Sequence, residues 1–274
     1  LELLYFRVAG KFNIVDKPNL RGSSTRVTLR GGGVIVPVAV CLWYVVQVAG
    51  FKFQVASVPG GASWAELVHE YAYFVVGLVL LGGVSLIDDV RSVPNRVRLL
   101  VQVVAMILVL MSLGVERNVV LNMSLTMAGT LALAAVALVV MTGVINAWNF
   151  MDGINGITGG FALTVLAPLA WMNWWLGYVD MRLLIVVAIA LLVFCWFNFR
   201  TKARCFAGDV GSVSVAVVLL MVTGRLMVET GELWWIMIMA LYGVDTGCTI
   251  VHRIMLHENL GESHRKHAYQ LMAN

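Results

Sequence analysis

The sequence predicts an all-α protein, a polytopic bundle of membrane-spanning helices, and three observations carry that expectation. Hydrophobic residues make up 60% of the 274 and charged residues only 12%, and mean hydropathy is +0.88, far from the balance of a soluble domain. About eight apolar runs are visible, each close to the roughly 17 to 25 residues that a helix needs to cross the hydrocarbon core. The basic residues collect on alternate connecting segments, as the positive-inside rule requires of a multi-pass protein.

The runs lie at 33–49, 71–87, 99–114, 127–145, 161–177, 183–199, 212–228 and 233–250. Some are short or interrupted, as at Gly82–Gly83, so their ends are less certain than their existence. Arg7, Lys11, Lys17, Arg21, Arg26, Arg30, Arg91, Arg96, Arg98, Arg200, Lys202, Arg204, Arg253, Arg265 and Lys266 share one side; Lys52, Arg117, Arg182 and Arg225 share the other. The first side is therefore expected to be cytoplasmic, and with it segments 1–31, 88–98, 146–160, 200–211 and 251–274. The chain opens on LELLYF without a signal peptide pattern. That opening reads as the tail of an earlier helix. Cys41, Cys195, Cys205 and Cys248 show no paired spacing, so neither a disulfide framework nor a zinc site is expected.

The most informative stretch is NAWNFMDGINGITGG at 146–160. Amides, a carboxylate and glycines between two hydrocarbon runs point to a loop that handles something polar, although a plain surface turn has the same composition. Three further clusters share its side: Asp88–Asp89 in SLIDDV, Asp209 in FAGDVGS, and His264 and His267 in SHRKHAYQ. Asp88, Asp89, Asn149, Asp152 and Asp209 offer the hard oxygen ligands that Mg²⁺ prefers. Helix capping is the bland alternative for each. It suits Asp88 and Asp89 poorly, because they stand at a helix C-terminus, where the dipole disfavours anions. Arg98, Arg265 and Lys266 supply cations for a phosphate, with Arg favouring bidentate contact. The segment DKPNLRGSSTRVTLRGGG is basic and rich in Ser, Thr and Gly, and charge alone would draw it to lipid head groups or an anionic substrate.

Taken together and in order, DKPNLR…TLRGGG, LIDDVRSVPNRVRLLVQ, NAWNFMDGINGITGG, FAGDVGS and SHRKHAYQ resemble the motifs of the polyprenyl-phosphate N-acetylhexosamine-1-phosphate transferases, glycosyltransferase family 4, in its lipopolysaccharide or O-antigen-initiating branch. The resemblance implies a single transmembrane transferase domain over 1–274 with its site on cytoplasmic loops of a bacterial inner-membrane protein. It also implies transfer of N-acetylhexosamine 1-phosphate from a UDP-sugar to undecaprenyl phosphate with release of UMP. Asp209 and Asn149 would hold Mg²⁺, or Mn²⁺ in its place. Asn146, Asp152, Gly153 and Asn155 would bind the substrate, with Gly153 and Asn155 facing the uracil. Asp88, Asp89, Arg98, His264, Arg265 and His267 would be the catalytic set. The expected partners are polyprenyl phosphate, the UDP-N-acetylhexosamine and membrane lipid, with no nucleic acid; a homodimer is compatible with the sequence.

Members usually have ten or eleven spans and carry Ser-x-His followed by Pro-Thr-Pro-Arg where this chain reads SSTRVTLRGGG. Truncation at both ends is accordingly expected. The alternative reading is a truncated, non-catalytic membrane paralogue, or a polyprenyl-phosphate binder or transporter. A CDP-alcohol phosphatidyltransferase is excluded where Asp152–Gly153 runs into INGIT instead of that family's continuing motif.

Overall fold

The computed structural model describes residues 1–16, 27–54, 64–114, 127–259 and 265–273. Its helices are α1 (Glu2–Lys11), α2 (Ile35–Gln54), α3 (Trp64–Val90), α4 (Asn95–Ser112), α5 (Met127–Met151), α6 (Ile157–Leu176), α7 (Met181–Asn198), α8 (Gly208–Thr230), α9 (Ala240–Met255) and α10 (Ala268–Ala273). A two-residue antiparallel ladder pairs β1 (Val15–Asp16) with β2 (Thr28–Leu29). The all-α membrane bundle expected from composition is what forms.

Among the described residues, seven helical segments are long and apolar enough to cross a membrane. The eighth expected span, α6, has the length, at 20 residues, but lacks the hydropathy. Pro168, Asn173 and the exposed Trp171, Trp174 and Trp175 dilute it. It pairs with α7 at both of its ends. At one end the Gly156 N–H donates to Asn198 Oδ1 at the close of α7 (2.6 Å); at the other, Asn173 exchanges hydrogen bonds with the Val179 backbone just before α7 begins. α6 therefore runs antiparallel to α7, in keeping with the eighth span the sequence suggests. The tryptophans then lie at its far end, where amphipathic rings suit a membrane interface.

The last expected run, 233–250, is not one continuous α-helix. Leu233–Met239 is a 3₁₀ stretch and α9 follows it. Helix α9 buries Tyr242, Thr246, Thr249 and Arg253 and exposes Leu241, Val244, Val251 and Met255. Its polar stripe faces protein and its apolar stripe faces outward, the inverse of a soluble amphipathic helix.

Helix α8 is the axis of the bundle. In its spanning window 83% of the residues are buried, against 11% for α5. It packs on α3, α5, α6 and α2, and small residues allow the approach, as where Gly82 of α3 faces Ser214 of α8. At the end remote from the acidic clusters, Arg225 donates to the Ser112 carbonyl (2.8 Å) and lies over the Tyr71 ring. Arg182 there pairs with Asp180 and Gln47. Both described arginines of the sparsely charged end therefore have structural partners; Arg117 lies outside the described residues.

Candidate active site

Four helix ends converge at the other end of the bundle. The acidic residues, expected on cytoplasmic segments with Asp88 and Asp89 at a helix C-terminus, stand on helix termini. Asp88 and Asp89 occupy the last turn of α3, Asn149 the last turn of α5 and Asp209 the first turn of α8. Asp89 accepts hydrogen bonds from the backbone N–H groups of Asp209 (2.9 Å) and Val210 (3.0 Å). It thus satisfies orphan donors at the start of α8, and the positive end of that helix offsets the poor position of an anion at the end of α3.

A row of alternating charge runs across this junction. Arg30 Nε lies 2.6 Å from Asp89 Oδ1 and Arg30 Nη2 2.9 Å from Asp209 Oδ1. On the other side, Arg98 Nη1 lies 3.0 Å from Asp88 Oδ2 and Arg98 Nη2 3.6 Å from Asp209 Oδ2. Asp209 is shared by both guanidiniums. It also sits within side-chain hydrogen-bonding reach of Asp88 and Asn149, and Asn149 Nδ2 donates to Ser212 Oγ (3.2 Å). Asp88 is oriented further by the Val93 N–H (2.6 Å).

Arg30 was not among the residues expected to form the site; it counted toward topology and as one charge of the basic first segment. Its position is built by glycines. Gly31 has φ +81° and Gly208 φ +71°, and a Cβ on Gly208 would stand 2.6 Å from Asp89 Oδ2 and 2.7 Å from the Gly31 nitrogen. Gly33 and Gly211 touch backbone to backbone, with a Cβ on Gly33 falling 2.3 Å from the Gly211 Cα. The Gly32 and Gly33 N–H groups donate to Phe206 and Ala207, and Tyr5 donates to the Arg30 carbonyl (2.5 Å). Burial acts to lower the Arg30 pKa, but Asp89, Asp209 and Asp16 outweigh it and the net shift is upward. Asp16 is a second residue that the sequence did not single out. Burial raises its pKa, Arg30 lowers it and Asp209 raises it again, with an upward result. Beneath this segment, burial pushes the Glu2 carboxyl up to about 7, and the Cys205 thiol donates to it.

The loop after α5 is placed beside the row, and several of its expected substrate contacts serve its own architecture. Asn146 exchanges hydrogen bonds with Gln102 of α4 (2.9 and 3.3 Å) and donates to the Thr142 carbonyl. Asn146→Ala should therefore lower stability by about 1–3 kcal/mol through the stranded buried Gln102, read as a fall in apparent unfolding temperature. Asp152 accepts from Thr158 Oγ1 (2.6 Å) at the start of α6. Asn155 donates to the Arg200 carbonyl (2.8 Å). Asn198, also missed in the sequence, accepts from the Gly156 N–H and donates to the Cys205 carbonyl, so it ties α6, α7 and the segment before α8 together.

The C-terminal segment closes on this loop. His267 is buried and stacks with Tyr269 at 5.8 Å between ring centroids, with Phe150 6.5 Å away. Its Nδ1 stands 3.7 Å from Asp245 Oδ1 of α9, which accepts from the Ala268 N–H (2.9 Å). Tyr269 donates to the Phe150 carbonyl (3.2 Å) and lies so close to Gly153 that a Cβ there would meet its hydroxyl at 2.0 Å. Arg265 is exposed. His264 lies outside the described residues, as do 17–26 of the first basic segment.

The donor chemistry fits a hard divalent cation. The carboxyls of Asp16, Asp88, Asp89 and Asp209 lie around two guanidiniums, a set of acids whose mutual repulsion a cation would relieve. Among the described residues no three His, Cys, Asp or Glu side chains form a metal-holding group. The Asp209 carboxylate with the Asn149 carboxamide beside it offers the kind of oxygen chemistry that Mg²⁺ takes together with substrate phosphates.

Comparison with known proteins agrees with the geometry. The model of glycosyl transferase family 4 matches residues 71–227, more than half of the chain and the span that carries Asp88, Asp89, Arg98, Asn149 and Asp209. The chain belongs to glycosyl transferase family 4, and it is a multi-pass membrane protein of that transferase class. It is 26% identical over 275 residues to a "probable undecaprenyl-phosphate N-acetylglucosaminyl 1-phosphate transferase" of Bacillus subtilis, covering 97% of this chain and 72% of the relative. It is 37% identical over 79 residues to a phospho-N-acetylmuramoyl-pentapeptide-transferase of Deinococcus radiodurans, covering 29% of this chain and 22% of the relative. An undecaprenyl-phosphate alpha-N-acetylglucosaminyl 1-phosphate transferase of Escherichia coli O157:H7 is 25% identical over 219 residues, covering 76% of this chain. The chain spans 54% of that relative's length.

Proposed function

We propose that the chain transfers N-acetylhexosamine 1-phosphate from a UDP-sugar to undecaprenyl phosphate, releasing UMP and initiating O-antigen or another surface glycan. UDP-N-acetylglucosamine is the first donor to test, because the Bacillus and Escherichia relatives bear that sugar in their names. The carrying observation is the row Asp89–Arg30–Asp209–Arg98–Asp88 with Asn149 beside it, set at one end of spanning helices.

In this reaction an oxygen of the lipid phosphate forms a bond to the sugar-proximal phosphorus of the donor. The bond from that phosphorus to the bridging oxygen breaks, and UMP leaves with the electron pair. No proton transfer is obligatory, since a phosphate monoester is largely ionised at neutral pH. The protein's work is positioning and charge stabilisation. Arg98 binds diphosphate oxygens while Asp88 fixes its orientation. Asp209 and Asn149 would hold Mg²⁺ or Mn²⁺, which would supply positive charge to stabilise the transferring phosphate. Asp89 keeps the start of α8 and Arg30 in register. His267, seated by Asp245 and Tyr269, presses the C-terminal segment onto the 149–153 turn. The site end of the bundle faces the cytoplasm, where UDP-sugars are made, in accord with its surplus of arginine.

The test is the identity of the released nucleotide. Reconstituted protein with undecaprenyl phosphate, Mg²⁺ and a panel of UDP-N-acetylhexosamines should release UMP with at least one donor, and a chelator should stop it. Release of UDP instead would mean transfer of the sugar alone and would reject the mechanism.

A further inference from the structure

The chemistry of Arg30 is only partly consumed by its ion pairs. Its Nε serves Asp89 and its Nη2 serves Asp209, both carboxylates being well buried, with side-chain exposure of 0% and 16%. The third edge of the guanidinium, at Nη1, meets no partner among the described residues. The side chain itself remains 32% exposed. A guanidinium carries donors in a rigid planar fork, so two edges held on carboxylates fix the direction of the third.

The backbone is as constrained as the side chain. Arg30 lies between the β2 ladder and the Gly31–Gly33 turn, which is bonded to Phe206 and Ala207 and pressed against Gly211. The same α8 start carries Asp209. Across that carboxylate stands Arg98, equally partly exposed at 28% and also held by two acids. Two preorganised cations thus flank one carboxylate from opposite sides. This is a poor arrangement for stability alone, since clustered acids repel and must be held. It is a good one for gripping an anion that carries several oxygens and arrives with its own divalent cation.

We propose that Arg30 is a substrate-contacting residue, which binds a diphosphate oxygen through Nη1 while Nε and Nη2 stay on Asp89 and Asp209. The inference rests on the transferase reading only for the source of the anion, the diphosphate of a sugar nucleotide. Arg30 and Arg98 then hold the diphosphate from two sides. The clamp to Asp89 keeps the guanidinium in place before the anion arrives, so less freedom is lost on binding.

The test uses inorganic diphosphate with Mg²⁺ as the probe, measured by calorimetry on the solubilised chain beside uridine as the control ligand. Arg30→Lys retains a cation between Asp89 and Asp209 but loses the planar fork. Its diphosphate affinity should fall about tenfold, with uridine affinity and apparent unfolding temperature near those of the wild type. Arg30→Gln should lose about 10- to 100-fold; should it fail to fold, the Lys variant decides. Unchanged diphosphate affinity in a folded Arg30→Lys protein would overturn the proposal. An equal fall in diphosphate and uridine affinity would overturn it too, because that is the signature of a purely structural residue. Absence of diphosphate binding by the wild type would do the same. Arg30-dependent diphosphate binding by a protein that turns over no UDP-sugar would leave the anion contact standing and remove the transferase reading.

Discussion

Asp209→Asn should lower the turnover number on the order of 10³-fold while leaving the fold intact. The estimate follows from the cost of removing one preorganised charge-stabilising group from a transferase site, about 10²–10³-fold, together with weakened metal binding. Asp209 is the single group that touches both arginines, the Asn149 amide and Asp88. The amide keeps the shape and removes the charge. Some stability should be lost with it, because Asp209 is the counter-charge shared by Arg30 and Arg98, but Asp89 and Asp88 still hold the two guanidiniums, so the protein should remain folded. The check is steady-state kinetics beside thermal unfolding. A loss of turnover that merely tracks a loss of folded protein would deny Asp209 a chemical role.

Gly211→Ala should damage both stability and activity, although it adds only one methyl group. The new Cβ would stand 2.6 Å from the Gly33 Cα, 3.3 Å from the Gly33 carbonyl carbon and 3.0 Å from the Ala207 Cβ. Two of these neighbours are backbone, so no side chain can rotate away. Overpacking of this kind costs about 1–3 kcal/mol. The 30–33 segment must lift from α8 and carry Arg30 away from Asp209. Displacement of a positioning group by about 1 Å can cost about 10²-fold in rate. Apparent unfolding temperature and UMP release report the two effects. Wild-type behaviour in both would show that the close approach of Gly33 to Gly211 does not set the site.

The fold class was legible because hydropathy is a property of runs, and the runs here are nearly pure. The weakest run was also the informative one. α6 reads as a span from its length, Pro168, Asn173 and its tryptophans interrupt the run, and its antiparallel pairing with α7 is what supports the reading. The break at Leu233–Met239 was hidden because aromatic and aliphatic residues read alike whether the backbone is α or 3₁₀.

The acids of the site were legible for the opposite reason, since carboxylates beside a membrane span are costly enough to need explaining. Asp88, Asp89, Arg98, Asn149 and Asp209 do come together. Arg30 was not legible. An arginine in a basic segment serves topology equally well, and its partner Asp209 is 179 residues away. The glycine triplet after it was the available signal, because successive glycines mark places where backbones meet. Asn146, read as a substrate contact, also has a structural partner that the sequence did not show: it exchanges hydrogen bonds with Gln102 on a neighbouring helix. Asp245 escaped because a single acid on α9 gives no hint that the C-terminal segment folds back to meet it.

The most direct test of the account is the mass of the lipid product. Purified wild-type chain, reconstituted with undecaprenyl phosphate, UDP-N-acetylglucosamine and Mg²⁺, should yield a lipid heavier by one N-acetylhexosamine phosphate, and the Asp209→Asn protein should yield essentially none. A lipid heavier by the sugar alone, or equal product from the two folded proteins, would contradict the assignment of this charged row as a sugar-phosphate transfer site.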